Sequence, residues 1–341
     1  MPKNDRKGKP FSNNKSSKLK NHSSFGNDRN VSLQNTENIG RVITSTGSFY
    51  TVKREDGSEV NCVVKGKFRI AGMKTTNPVA VGDNVHFIRT ENSEYCQIDY
   101  IFPRKNYIIR KSVNLSKSYS IVASNLDAVF LIVSCKNPKT DTMFIDRFLV
   151  TANAYNVPCN IIINKTDIWD TEAEDYARFL EKIYTQAGNE VFFTSIVTNQ
   201  GIDGIKEQLK GKIVLFCGNS GVGKSSLINI LCPDAGQKTA EISSLHHSGK
   251  HTTTFACMFE NGDIRIIDTP GVKSFGVVDF KKEELALYFP EMKERLDGCK
   301  YYNCTHTHEP GCAIKQAAEK GEIPSERYNN YIKLFNADDI V

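Results

Sequence analysis

Residues 218–225 carry the clearest chemical signature in the sequence. They read Gly-Asn-Ser-Gly-Val-Gly-Lys-Ser and match G-x-x-x-x-G-K-S, the pattern of a phosphate-binding loop. The apolar run 213–217 before them predicts a buried strand, and residues 226–231 after them predict a helix. Because glycines let N–H groups turn inward and a helix N-terminus is partly positive, we expect a bound nucleoside triphosphate. The predicted phosphate-binding residues are Gly218, Asn219, Ser220, Gly221, Val222, Gly223, Lys224, Ser225 and Ser226.

The last two residues of this loop have distinct expected roles. The Lys224 ammonium is expected to reach the β- and γ-phosphates, which makes it a candidate catalytic residue. The Ser225 hydroxyl is expected to bind Mg²⁺. The loop therefore predicts a triphosphate bound together with magnesium.

The tetrapeptide Asn164-Lys165-Thr166-Asp167 follows another predicted buried strand and matches N-K-x-D, the guanine-reading motif of GTPases. The Asp167 carboxylate can accept two hydrogen bonds from guanine, whereas adenine offers no matching pair of donors. We expect the Lys165 stem to lie over the base and Asn164 to connect this loop to the phosphate loop. Ser195, at the end of the next predicted strand, is expected to complete the pocket. The predicted nucleotide is GTP.

A third motif, D-x-x-G, lies at residues 268–271 after a predicted strand. Asp268 is expected to hold Mg²⁺ through water, and the Gly271 amide is expected to sense the γ-phosphate. In an ordinary GTPase, N-K-x-D comes last in the chain, but here it precedes the phosphate loop. The order indicates a circularly permuted GTPase, an arrangement that is possible because domain termini usually lie close together.

The segment between the phosphate loop and D-x-x-G holds the candidate switch and catalytic residues. We favour Thr253 as the switch threonine that binds Mg²⁺, and Thr252 and Thr254 stay open as alternatives. Val272 follows D-x-x-G where Ras-like enzymes carry a glutamine, and an apolar side chain cannot orient water. His251 is the candidate for that catalytic role, with an ordinary surface histidine as the equal alternative.

Three cysteines and a histidine near the C-terminus have the spacing of a structural zinc site. These are Cys299, Cys304, His306 and Cys312. Neither His308 nor the pair His246 and His247 improves on the spacing of His306. Helices are predicted at 314–319 and 324–335, with a moderately basic surface that includes Arg327.

Composition and charge bound the remaining possibilities. The longest apolar runs are too short to span a bilayer, and no secretory signal begins the chain, so we expect a cytoplasmic protein. Residues 1–36 hold eight Lys or Arg and two Asp, a net charge of +6 within a total of +5. Such an arm could reach an anionic partner, or it could be a solvated tail that aids solubility.

The hydrophobic pattern divides the remainder of the chain. Four short alternating strands between residues 40 and 88 predict a small barrel of the OB type, which often binds nucleic acid but can also serve only for packing. A basic connector at 103–111 leads to buried strands alternating with helices, which predict a mostly parallel sheet. We expect a multidomain α/β protein with a disordered basic arm (1–37), an OB-fold domain (38–110), a circularly permuted GTPase domain (111–278) and a helical zinc-binding domain (279–341).

These motifs, in this order, resemble the ribosome small-subunit-dependent GTPase A family (RsgA, also called YjeQ), the circularly permuted GTPases of ribosome assembly. The similarity covers about residues 38 to 335. It implies a cytoplasmic GTPase that acts late in maturation of the small (30S) ribosomal subunit, binds its 16S rRNA and is stimulated by it. It also favours His251 as the catalytic residue. The expected ligands are GTP, Mg²⁺ and one structural Zn²⁺, and we expect a monomer that binds neither DNA nor a membrane.

Two other functions are compatible with the residues themselves. One is a regulatory GTPase whose barrel contacts another protein rather than the ribosome. The other is an RNA-binding scaffold in which GTP is only a structural ligand. Binding to the small ribosomal subunit would distinguish the family-based hypothesis from a regulatory GTPase. GTP turnover would distinguish it from a scaffold.

Overall fold

A computed structural model describes residues 38–64, 78–90, 93–111, 119–236, 256–269 and 281–337. The basic arm predicted at 1–37 lies outside these residues. Within them, thirteen strands are followed by a C-terminal region of short helices. Eleven of the strands join in one sheet, and the other two form a separate hairpin.

The first five strands of this sheet form the predicted N-terminal barrel. They are β1 (Ile39–Ser45), β2 (Phe49–Lys53), β3 (Glu59–Val64), β4 (Asn84–Ile88) and β5 (Cys96–Ile101). The barrel closes because β1 pairs with both β2 and β4, while β5 connects β3 to β4. Sequence reasoning found four of these strands and missed β5, whose burial does not alternate along its length.

A hairpin of β6 (Tyr107–Lys111) and β7 (Tyr119–Ser124) follows the barrel, so part of the predicted connector is a strand. The buried Asp83 carboxylate holds this junction together. It accepts hydrogen bonds from Arg104 Nε and Nη2, both at 2.6 Å, and from Ser124 Oγ at 2.6 Å. The Ala80 amide donates to it as well, at 2.9 Å. Arg104 of the basic connector is therefore one half of a structural ion pair.

The remaining six strands form the GTPase half of the sheet. They are β8 (Ala128–Ser134), β9 (Cys159–Asn164), β10 (Val191–Thr194), β11 (Ile213–Gly218), β12 (Ala256–Asn261) and β13 (Ile264–Asp268). All are parallel to their neighbours except β12, which runs antiparallel to β13 and to β1. The strand order of the whole sheet is β10-β9-β8-β11-β13-β12-β1-β2-β3-β5-β4. Within the GTPase half, the earlier strands β8 to β10 lie on one side of β11 and the later strands β12 and β13 on the other. This confirms the predicted mostly parallel sheet.

Helices cover both faces of this half of the sheet. Strands β8 and β11 are therefore buried at every position. The helices are α1 (Thr142–Ala154), α2 (Thr171–Gln186), α3 (Ile202–Leu209) and α4 (Lys224–Leu231). The first two pack on one face and the last two on the other. Helices α1 and α2 begin where Asp141 and Asp170 accept hydrogen bonds from Met143 N and Ala173 N.

The C-terminal region is helical, as the sequence predicts. It contains the 3-10 helices Lys282–Tyr288 and Leu296–Gly298 and the α-helices α5 (Pro290–Lys293), α6 (Ala313–Glu319) and α7 (Ser325–Asn336). Its apolar core includes Phe289, Met292 and Tyr331, and Val150 of α1 belongs to the same core. Helix α1 therefore packs against the sheet on one side and against the C-terminal helices on the other.

Arg327 of α7 anchors the C-terminal helices to α1, which corrects its expected place on a basic surface. Its side chain is only 1% exposed. It donates to Asp146 of α1 at 2.5 Å and to both carboxylate oxygens of Glu291 at 2.8 and 3.1 Å. Asn330, one helical turn along, donates to Asp146 at 2.7 Å. Since every charge here has a partner, the cluster is stable as a unit and vulnerable to the loss of one member.

Arg327→Met should destabilise the fold by about 3–5 kcal/mol, because it leaves two buried carboxylates without their counter-charge. Urea unfolding followed by circular dichroism measures the change. Arg178→Met on the exposed face of α2 is the control and should change stability by less than about 0.5 kcal/mol. Equal unfolding midpoints for the two variants would contradict an anchoring role for Arg327.

Candidate nucleotide-binding site and metal centre

The phosphate-binding loop connects the end of β11 to the start of α4, as the sequence predicts. Gly218 has φ +157°, and a Cβ there would lie 2.4 Å from the Ile132 carbonyl oxygen. Gly223 has φ +94°, and its Cβ would lie 2.4 Å from Asn164 Nδ2. Both close approaches exclude larger residues. The two glycines are therefore required for close packing of the phosphate loop against β8 and the N-K-x-D loop, besides their expected role in phosphate binding.

Asn164 connects three loops at this edge of the sheet. Its Nδ2 donates to the Val222 carbonyl oxygen of the phosphate loop at 2.9 Å. Its Oδ1 accepts from Thr194 Oγ1 of β10, also at 2.9 Å. Asn164 and Thr194 are fully buried. Because loss of either partner would leave a buried polar atom unsatisfied, this side chain fixes the N-K-x-D loop against the phosphate loop.

Asp167 and Lys165 lie beside that junction. Asp167 Oδ1 accepts a hydrogen bond from Ser195 Oγ at 2.5 Å, and the Val197 and Thr198 amides donate to the same hydroxyl at 3.2 Å. Among the described residues no hydrogen-bond donor reaches the other oxygen, Oδ2. Lys165 has the left-handed φ of +68°. The structure therefore brings the four predicted base-binding residues, Asn164, Lys165, Asp167 and Ser195, together beside the phosphate loop.

Sequence reasoning missed the segment between β8 and α1, which forms another wall of this pocket. Lys165 Nζ donates to the Asn137 carbonyl oxygen at 2.5 Å. Pro138 Cδ lies 3.3 Å from the position of a Cβ on Gly221. The signal was present, since an Asn-Pro pair directly after a buried parallel strand indicates a turn at the carboxyl edge of the sheet.

Lys224 and Asp268 meet at the carboxyl ends of β11 and β13. The register pairs Asp268 with Phe216, two residues before the phosphate loop begins. Lys224 Nζ forms an ion pair with Asp268 Oδ1, and the two side chains are 15% and 18% exposed. Lys224, the candidate phosphate-binding residue, and Asp268, the candidate magnesium-binding residue, are therefore in direct contact.

The remaining predicted residues of the switch region cannot be placed. His251, Thr252, Thr253 and Thr254 lie outside the described residues, and so do Gly271 and Val272. Their roles stay predictions from the sequence.

The four predicted zinc ligands come together near the C-terminus. One ligand atom from each of Cys299, Cys304, His306 and Cys312 lies within 4.8 Å of all the others. His306 Nδ1 is 3.6 Å from Cys299 Sγ and 3.5 Å from Cys312 Sγ, and those sulfurs are 4.0 Å apart. A tetrahedral zinc with Zn–S bonds of ~2.3 Å places its ligand atoms about 3.8 Å from one another, so the donor set fits the ion.

The surroundings of these ligands hold them in place. His306 has φ +61°, and its carbonyl accepts a hydrogen bond from Tyr328 OH at 2.9 Å. Burial lowers the pKa of the imidazole, and Glu309 opposes this effect. The neutral ring that results is the form that coordinates metals. His308, the alternative ligand, is exposed and its ring instead contacts Thr307 Oγ1 at 2.8 Å.

Comparison with known proteins gives consistent matches along most of the chain. The family model "RsgA GTPase" matches residues 101–278, and "RsgA N-terminal domain" matches residues 39–96. A Flavobacterium johnsoniae protein named "Small ribosomal subunit biogenesis GTPase RsgA" is 50% identical over 303 residues, which are 88% of this chain and 93% of that protein. A Bacteroides fragilis protein of the same name is 50% identical over 86% of this chain and 95% of its own length.

Solved structures agree with these sequence matches. YjeQ from Thermotoga maritima aligns with a TM-score of 0.69 at 34% identity, over 87% of this chain and 97% of its own. YloQ, described as a circularly permuted GTPase, aligns with a TM-score of 0.64 at 30% identity, over 87% and 93%. In the described part of the chain, no helix is long and apolar enough to cross a membrane.

Cys304→Ser should reduce zinc affinity by more than the ~10–100-fold typical of losing an outer-sphere partner, because it removes one of four direct ligands. The C-terminal helices should lose structure while nucleotide binding persists. Zinc content by atomic emission, together with nucleotide binding, measures both effects. His308→Ala, two residues from a ligand, is the control and should keep one zinc per chain. A purified chain without zinc, whose helices survive chelation, would contradict the assignment.

Proposed function

The chain belongs to the RsgA GTPase family, and from this premise we propose that it hydrolyses GTP in the biogenesis of the small ribosomal subunit. The observation that carries the GTPase part is the Asn164–Val222 hydrogen bond, which joins the N-K-x-D loop to the phosphate loop in one pocket. The ribosomal part is supported by relatives of that name that are 50% identical over nearly their whole length. The four domains expected from the sequence are part of the proposal.

Guanine would be selected by Asp167. Its Oδ1 is held by Ser195, so the carboxylate is fixed in orientation before a base arrives. A carboxylate fixed in this way binds guanine, which donates two hydrogen bonds to it. It disfavours adenine, because adenine would leave the carboxylate partly unpaired. The Lys165 stem, held by Asn137, would lie against the base.

The phosphates would be bound by the backbone N–H groups of residues 218–226 and by Lys224. Lys224 would exchange its contact with Asp268 for the β- and γ-phosphates. A magnesium ion would be held by the Ser225 hydroxyl and by Thr253, with Asp268 acting through water, and it would neutralise charge on the phosphates. We assign Gly271 to sensing the γ-phosphate and His251 to orienting the attacking water, both from the sequence.

The partner would be the small subunit with its 16S rRNA, bound by a monomeric chain in the cytoplasm without DNA or membrane. The RsgA name of the relatives supports the subunit, and the family resemblance supports the rRNA. A partner that completes the catalytic site explains why Val272 stands where Ras-like enzymes carry a glutamine. Turnover should then be slow for the chain alone.

GTP turnover should rise at least about tenfold when purified small ribosomal subunits are added, since a positioned water typically contributes 10²–10⁴-fold to rate. Phosphate release under single-turnover conditions measures this. Large subunits are the matched control and should leave the rate unchanged. Equal rates with and without small subunits would favour a GTPase with a protein partner, and no turnover in either case would favour a scaffold.

Asp167→Asn should weaken GTP binding by about 100-fold and favour xanthosine triphosphate, because the amide donates where guanine also donates. Competition between the two nucleotides in a fluorescence binding assay measures the preference. Asp203→Asn, whose side chain is 95% exposed on α3, is the control and should bind GTP like the unchanged chain. An unaltered preference would remove Asp167 from base recognition.

A further inference from the structure

A cleft lies at the amino ends of β11 and β13, whereas the nucleotide site lies at their carboxyl ends. It has a volume of about 580 Å³ and opens between the barrel and the GTPase half of the sheet. The barrel contributes Arg41 of β1 and Asn84 of β4 to its wall. The GTPase half contributes Ile213 and Arg265, at the amino ends of β11 and β13. The phosphate-binding loop follows the other end of β11, so the two sites are separated by the length of a strand.

The carboxylates near this cleft are already engaged. Asp127 accepts Lys105 Nζ and the Ile213 amide, both at 2.9 Å. Glu260 pairs with Lys53 Nζ and lies 3.7 Å from Arg265 Nε. Asp83 is bound by Arg104, as described above. Each of these carboxylates therefore already has at least one cationic partner.

Arg41 is a further cation in this cleft. Its Nε donates to the neutral Asn84 Oδ1 at 3.3 Å, and within the described residues no carboxylate lies within ion-pair distance of its guanidinium. Burial lowers the pKa of Arg41, and the positive charge of Arg265 lowers it further. The negative charges of Asp127 and Glu260 oppose these two effects, although both carboxylates also pair with other cations. The fold therefore keeps Arg41 and Arg265 in one half-buried cleft, where Arg41 has no carboxylate of its own within the described residues. An anion in the cleft would relieve the repulsion between the two guanidinium groups.

We propose that this cleft binds a backbone phosphate of RNA, with Arg41 and Arg265 as its ligands. Guanidinium groups match phosphate geometry with paired N–H donors. Small-molecule pockets are mostly apolar, whereas this cleft is lined by four basic side chains, the single carboxylate of Asp127, two asparagines and few apolar groups. Such a lining suits the sugar-phosphate backbone of a strand lying between barrel and sheet. The inference rests on the proposed function and adds a contact surface away from the nucleotide.

Arg41→Gln tests the proposal through two measurements, subunit binding and thermal unfolding. A purely structural role would change both, whereas an RNA contact changes only the first. Affinity for small subunits, measured by sedimentation over a salt series, should fall about tenfold, and the slope of log K against log[salt] should become shallower by about 1. The thermal unfolding temperature should change little, because Arg41 has no ion pair within the described residues and only one hydrogen bond of 3.3 Å to Asn84. Arg265→Gln should repeat the affinity loss, and Arg41→Lys should retain the salt slope.

Arg178→Gln, the same change on the exposed face of α2, is the matched control and should leave affinity and slope unaltered. If the unchanged chain binds subunits and Arg41→Gln binds them equally well with the same slope, the inference fails while the proposed function stands. A fall of several degrees in unfolding temperature would make Arg41 a structural residue and overturn it as well. Stabilisation by inorganic phosphate without any binding of single-stranded RNA or subunits would identify a small-anion site and refute the RNA assignment.

Discussion

The Asn164 side chain is the contact on which the nucleotide pocket depends. It ends β9, and its amide satisfies both a phosphate-loop carbonyl and the Thr194 hydroxyl in a fully buried position. Such a side chain cannot be removed without leaving two polar groups unsatisfied, so it fixes the relative position of three loops. Circular permutation changes the chain order of those loops but not their meeting point. The pocket can therefore survive permutation because its geometry is set by a contact across strands, not by adjacency in the chain.

The C-terminal helices have two physical connections to this pocket. One is the chain between Asp268 and the 3-10 helix that begins at Lys282. The other is α1, whose middle carries Asp146 against Arg327 and whose preceding segment carries Asn137 against Lys165. The contact of Asp146 with Arg327 is buried and paired, whereas that of Asn137 with Lys165 is exposed. The zinc-centred region is therefore joined to the nucleotide site through α1 as well as through the connecting chain.

How much could be predicted from the sequence depended on how local each signal was. The phosphate loop, the N-K-x-D loop and the Cys3His set are short motifs, and their residues meet as expected. Arg327 could not be predicted, because a single arginine on a polar helix looks exposed until its partners on α1 and α5 are known. The Asn137–Pro138 turn could be found from the sequence, but its contacts with Lys165 and Gly221 could not, because those residues are distant in the chain. Strand β5 was missed although its partner β4 is close in the chain, because its alternating burial breaks after four residues.

The pairing of β1 with β12 has a consequence for shortening the chain. Thr44 and Ser45 pair with Cys257 and Ala256, so the barrel covers the outermost strand of the GTPase half. A truncation that removed the barrel would expose the N–H and C=O groups of β12 beside the buried Cys257 and Met258. An uncovered apolar edge of this kind templates pairing with other molecules and leads to aggregation. The barrel thus protects solubility of its neighbour, and the catalytic half is not a module that can be excised cleanly.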